Sequence, residues 1–173
     1  MRTDSITEFE IHVDMRSTER VVIIMVINTR LFNEVGVDEE KKITFPGGII
    51  GFPDLQNFVL IHDEEKSEGS IRWMQSIEEP NFAMPVIDPL IVCPDYNPQV
   101  EEDLLKRLGE FSENDLLVLV TITVPHDLTK MTVNLKAPFV INTQTRKACQ
   151  IIVEDYEVKF PIYEILQKNK KEG

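Results

Sequence analysis

Residues Phe45 to Pro53 read Phe-Pro-Gly-Gly-Ile-Ile-Gly-Phe-Pro. Proline fixes φ, and glycine reaches positive φ at no steric cost. The segment therefore predicts a tight corner around Ile49 and Ile50. Such a corner interrupts both helix and strand, so the chain must reverse on either side of it. The flanking runs are short and apolar: Ile43 to Phe45, Asn57 to His62 and Ile71 to Ile77. In Ile71 to Ile77, alternation sets Ile71, Trp73, Gln75 and Ile77 on one face and Arg72, Met74 and Ser76 on the other. These runs carry the sole tryptophan and no plausible nucleophile. They read as the framework of a β core with an exposed edge, not as the cradle of an active site.

Other strands follow the same logic. Val21 to Ile27 is dense in β-branched residues. Residues 28–37 and 43–45 predict a hairpin joined through the polar stretch 38–42. Phe82 to Ile87 is a strand containing Pro85, which removes a ladder donor and so predicts an edge or a bulge. Asp115 to Val124 is apolar on both faces and predicts a central, buried strand. Shorter strands are expected at 132–136, 139–142 and 148–153, and Asn134 and Asn142 read as hydrogen-bonders at strand ends.

One helix stands out, over about 98–108. Asn97 suits the N-cap, Pro98 the first turn, and Gly109 the stop. Val100, Leu104, Leu108 and Phe111 form its apolar stripe, while Glu101, Glu102 and Asp103 favour its positive end. A further short helix or strand begins at Tyr163, and residues 167–173 form a basic tail. The sum is mainly β: a single antiparallel β-barrel or sandwich-like domain with one short α-helix.

Thirty acids against eighteen bases give a formal charge of −12. A net anion is repelled by nucleic acid and by anionic membranes, and it suits a basic protein partner. The two cysteines, Cys93 and Cys149, are isolated, which disfavours zinc and fits a reducing compartment. No apolar run approaches the roughly 18 to 20 residues of a membrane span, so a cytoplasmic protein is expected. His12, His62 and His126 are dispersed, and no nucleotide-binding or nucleophile motif is present.

The order and spacing of several motifs resemble the FliW family of flagellar assembly factors. They are Phe45 to Phe52, Trp73-Met-Gln-Ser76, Glu79-Pro80, Ile87-Asp88-Pro89, Pro94-Asp95-Tyr96, Thr132 to Pro138, and Ile141-Asn142. The likeness covers residues 26 to 160. It implies a β-barrel-like domain over 25–166, preceded by an extension over 1–24. It also implies a non-enzymatic binding protein without cofactor. Such a protein would sequester the basic RNA-binding repressor CsrA and bind flagellin, coupling flagellin level to its synthesis. A monomer is expected, with no direct contact to nucleic acid or membrane.

Candidate partner contacts are the acidic loop Asp63, Glu64 and Glu65, the pair Glu78 and Glu79, Pro85, Asp95 and Tyr96, the triplet Glu101, Glu102 and Asp103, and Asn134. Two rivals come from other classes. One is a small acidic enzyme using Asp88, Asp95 and Tyr96 in a barrel mouth. The other is an OB-like nucleic-acid binder, which would need a basic groove with exposed aromatics.

Overall fold

A computed structural model describes residues 8–14, 20–62 and 70–172. Strands β1 (Glu8–Asp14), β2 (Arg20–Thr29) and β3 (Asn33–Asp38) form a three-stranded antiparallel sheet in that order. The β2–β3 hairpin turns at residues 30–32, and Asn33 takes a left-handed φ of 56°. The Thr29 hydroxyl accepts the Phe32 N–H at 3.0 Å to close that turn. The hairpin expected across 38–42 is therefore not formed. That stretch holds a single 3-10 turn over 39–41, capped by Asp38, and it leads into the second sheet. Asp38 competes for the backbone N–H of Glu40 at 3.0 Å, a local bond that favours the turn over a continued strand.

The second sheet contains β4 (Ile43–Thr44), β5 (Asn57–Ile61), β6 (Arg72–Ser76) and β7 (Ala83–Ile87). After α1 (Pro89–Val92) and α2 (Glu102–Leu105) come β8 (Leu116–Thr123), β9 (Thr132–Val133), β10 (Phe139–Asn142), β11 (Ala148–Gln150) and β12 (Phe160–Pro161). Helix α3 (Tyr163–Glu172) ends the described chain. The order β11-β10-β8-β7-β6-β5-β4 is antiparallel throughout, with β9 on β8 and β12 on β9. The path does not close by a full ladder. One parallel bridge, Thr44 to Lys147, ties its two ends, with Thr44 N–H donating to Arg146 O at 2.9 Å. The molecule is thus mainly β and sandwich-like.

The core sits inside the curl of this sheet. Phe45, Phe58 and Phe139 are fully buried, and Phe45 meets each of the others edge to face at 5.5 and 5.4 Å. Each such side chain contributes about 1.5–3 kcal/mol by leaving water. Ile27, Val37 and Val59 fasten the first sheet to the second. Strand β8 is central as its pattern requires, with Leu119, Val120 and Ile122 buried among three neighbouring strands.

Pro85 lies in the half of β7 that is paired on one side only, a local edge within the sheet. Strand β7 lies between β6 and β8. Ser76 N–H donates to Phe82 O at 3.0 Å, and the register then places Pro85 opposite Trp73 at a position that makes no ladder bond to β6. On its other side the ladder to β8 holds only Val86 and Ile87. Before Val86 the two strands part, while β9 pairs with β8 along the edge that β8 shares with β10. The missing donor is accommodated by forking the sheet.

The helix expected over 98–108 is shorter. Its α-helical part is Glu102–Leu105, followed by a 3-10 turn to Leu108. Glu101, not Asn97, precedes it, without a side-chain cap bond. The Asn97 backbone N–H is instead taken by the Tyr156 hydroxyl at 2.9 Å. Gly109 ends the element at φ 80°. Val100, Leu104 and Leu108 do pack together on Val140, Ile151 and Val153, whereas Phe111 stays exposed.

Candidate partner-binding surface

The glycine corner forms the rim of an apolar groove. Gly47, Gly48 and Gly51 have φ of 92°, 75° and 88°. Ile49 and Phe52 exchange both backbone hydrogen bonds, at 3.2 and 2.9 Å. Ile49 is buried beneath the corner, so its neighbour Ile50 must face outward. The side chain of Gln150 accepts the Ile50 N–H at 2.8 Å and pins the corner to β11. Phe52 leans on Phe82, with ring centroids 4.8 Å apart.

Ile152 and Val158 stand across the groove from this corner. Ile50, Phe52, Ile152 and Val158 are 55%, 47%, 52% and 53% exposed. They surround a hollow of about 320 Å³ that also touches Met84, Phe139, Asn134 and Lys136. Clustered exposure of large apolar side chains makes this a candidate contact surface. The sequence holds a partial signal for it. Two isoleucines inside one corner cannot both point inward, and Ile152 follows Ile151 in a strand that alternates.

Of the residues expected to meet a partner, Asn134 lies on this groove. Its Oδ1 accepts the Lys136 N–H at 3.1 Å. Glu101 lines an adjoining cleft with Glu154 and Asp155. The rest are dispersed. Glu78 is a clamp within the fold: its carboxylate accepts from Asn57 N at 2.9 Å, Asn57 Nδ2 at 2.7 Å and Gln56 N at 3.3 Å. Glu79 accepts the Asn81 N–H at 3.1 Å in the same turn. Glu102 is exposed on α2, and Asp103 pairs with Lys106. Asp95 is exposed. Asp63, Glu64 and Glu65 lie outside the described residues.

The fork at Pro85 opens a second apolar cleft of about 460 Å³, walled by Trp73, Ile122, Val124 and Leu128 and by Tyr163 and Leu166 of α3. Trp73 is half-buried there and packs edge-on against Phe32 at 5.8 Å.

The three residues of the enzymatic alternative do not converge. Asp88 and Tyr96 border a hollow of about 340 Å³ that Asp95 does not line. Asp88 caps α1 by accepting the Leu90 N–H at 2.9 Å. The buried Tyr96 hydroxyl donates to Leu135 O at 2.8 Å, and its ring packs on Tyr156 at 4.5 Å. Burial holds the Tyr96 phenol far above the ordinary tyrosine range, with a smaller contribution from Tyr156. A phenol that stays protonated and bonded to a backbone carbonyl is a strut, not an acid or base. Among the described residues no group of three or more His, Cys, Asp or Glu is placed to hold a metal. No described helix is long and apolar enough to cross a membrane.

The family model described as FliW protein matches residues 26–162. The chain belongs to the FliW family. A flagellar assembly factor FliW from Lachnoclostridium phytofermentans is 46% identical over 150 residues, spanning 85% of this chain and 96% of that protein. Another from Lachnospira eligens is 46% identical over 150 residues, spanning 84% and 99%. A crystal structure of a flagellar assembly factor FliW superposes with a TM-score of 0.70 at 28% identity, covering 79% of this chain and 94% of that one. The FliW match begins inside β2 and ends at Ile162, so β1 and α3 lie beyond it. The glycine corner, the apolar groove and the fork at Pro85 all lie within it.

Proposed function

We propose that this FliW-family chain is a cytoplasmic flagellar assembly factor that works by occupying protein surfaces, without catalysis. It antagonises a CsrA-type RNA-binding translational repressor and also binds flagellin, so that export of flagellin frees it to act on the repressor. The observation that carries the reading is the groove rimmed by Ile50, Phe52, Ile152 and Val158, an exposed apolar surface on a rigid corner. The formal charge of −12 supports it, because a basic RNA-binding protein is steered toward a net anion. So does the name its relatives share, flagellar assembly factor.

The test is binding of the purified chain to each purified partner by calorimetry, followed by an RNA-release assay. Binding of both partners at micromolar concentration, and displacement of RNA from the repressor, are the expected results. If neither partner binds at micromolar concentration, the reading is wrong.

A further inference from the structure

We infer that the apolar groove and the acidic cleft beside it form one docking surface for a basic amphipathic segment, supplied by the RNA-binding repressor; the inference rests on the function proposed above. The two hollows share Ile152. The backbone explains why. Ile151 and Val153 are buried, and their N–H groups donate to Pro138 O and Lys136 O at 3.1 and 2.9 Å. In extended chain the intervening and following residues then face outward, which sets Ile152 and Glu154 side by side on the surface.

On one side of Ile152 the groove is apolar. Its single charged lining residue, Lys136, sits 3.5 Å from Glu154. On the other side the cleft, about 400 Å³, carries Glu101, Glu154 and Asp155. All three are exposed, and among the described residues no cation pairs with Glu101 or Asp155. An apolar floor continuous with unpaired carboxylates selects a segment with apolar side chains on one stretch and Lys or Arg on the next. A neutral segment would leave the carboxylates idle, and an acidic one would be repelled. The corner is tied by the backbone bonds between Ile49 and Phe52 and by Gln150, so little ordering is needed when the segment seats.

The experiment compares the full chain with Ile152→Asp, with Glu101→Lys/Asp155→Lys, and with the control Glu164→Lys on α3. Ile152→Ala serves as a milder variant should the aspartate disturb the fold. Affinities for the purified repressor and for purified flagellin are measured at low and high salt. Ile152→Asp should weaken repressor binding by about tenfold or more, and Ile152→Ala by about threefold or more. The double charge reversal should weaken it about tenfold at low salt and flatten its salt dependence. Glu164→Lys should stay within about twofold of wild type. If wild type binds the repressor and the Ile152 and double variants bind equally well, the site is wrong while the function stands. Equal losses in Glu164→Lys and the double variant would mean net charge alone, which also overturns it. So would loss of flagellin binding with repressor binding intact. Failure of wild type to bind the repressor overturns the function and the site together.

Discussion

Gly48 lies where a Cβ would sit 2.5 Å from both Phe52 O and Pro53 O. At Gly51 a Cβ would meet nothing within 4 Å, although φ is equally left-handed. The two positions should therefore respond differently. Gly51→Ala should cost about 1–2 kcal/mol, the penalty of the left-handed region alone. Gly48→Ala should cost at least about 3 kcal/mol, because backbone atoms must also move. Chemical denaturation of both variants checks this, and equal losses would contradict it. Asn142 makes a comparable case with hydrogen bonds. It is fully buried, donates to Leu108 O and Glu110 O at 3.0 Å each, and accepts from Gln144 N and Thr145 N. Asn142→Ala should destabilise by about 2–4 kcal/mol, since it strands one buried and three part-buried backbone groups. Both roles could be read in the sequence, from Gly-Gly next to Pro and from Asn at a strand end. The role of Glu78 could not. Its partners Gln56 and Asn57 are about twenty residues away, and only the pairing of β5 with β6 brings them within reach.

Among the elements, those defined by alternation were legible and those defined by capping were less so. Strands β5, β6, β7, β8 and β10 follow their β-branched and alternating runs. The stripe Val100, Leu104, Leu108 correctly marked a packed face, yet it overstated the helix, because a tertiary bond from Tyr156 holds Asn97 out of it. Helix α1 is only four residues long, too short to show a period. Pro85 signalled an irregularity, but which side of β7 loses its partner there depends on β8, which is distant in sequence. At the turn before β8, Ser112 and Asp115 form a capping box, with Ser112 N–H and Oγ both donating to Asp115 Oδ2 at 2.8 Å. These bonds hold the Asp115 carboxyl below its usual range. A lowered folded-state value stabilises above the unfolded-state value and is lost as pH falls through the folded one. Asp115→Asn should therefore melt below wild type at pH 7, and the gap should close as pH drops below about 4. A gap that persists in acid would assign the effect to packing.

For the molecule as a whole, charge and surface chemistry set what can be tested. With a formal charge of −12, affinity for a basic repressor should fall by about tenfold or more between low salt and about 0.5 M salt, because attraction is screened beyond roughly 8–10 Å at physiological ionic strength. Titrations at three salt concentrations measure it, and a flat response would assign the complex to apolar contact. The mainly β, sandwich-like class could be read from strand spacing, whereas strand order could not, since pairing partners are fixed by contacts between distant segments. The single bridge between Thr44 and Lys147 joins segments about a hundred residues apart, and the bond from Ile50 to Gln150 does the same beside it. A nascent chain on the ribosome has made the corner long before it has made β11. Until the last third of the polypeptide emerges, the corner faces no opposite wall and no Ile152. Only a chain made through Val158 can present the groove, so on the proposed function a shorter translation product would be unable to titrate its partner, whatever its abundance.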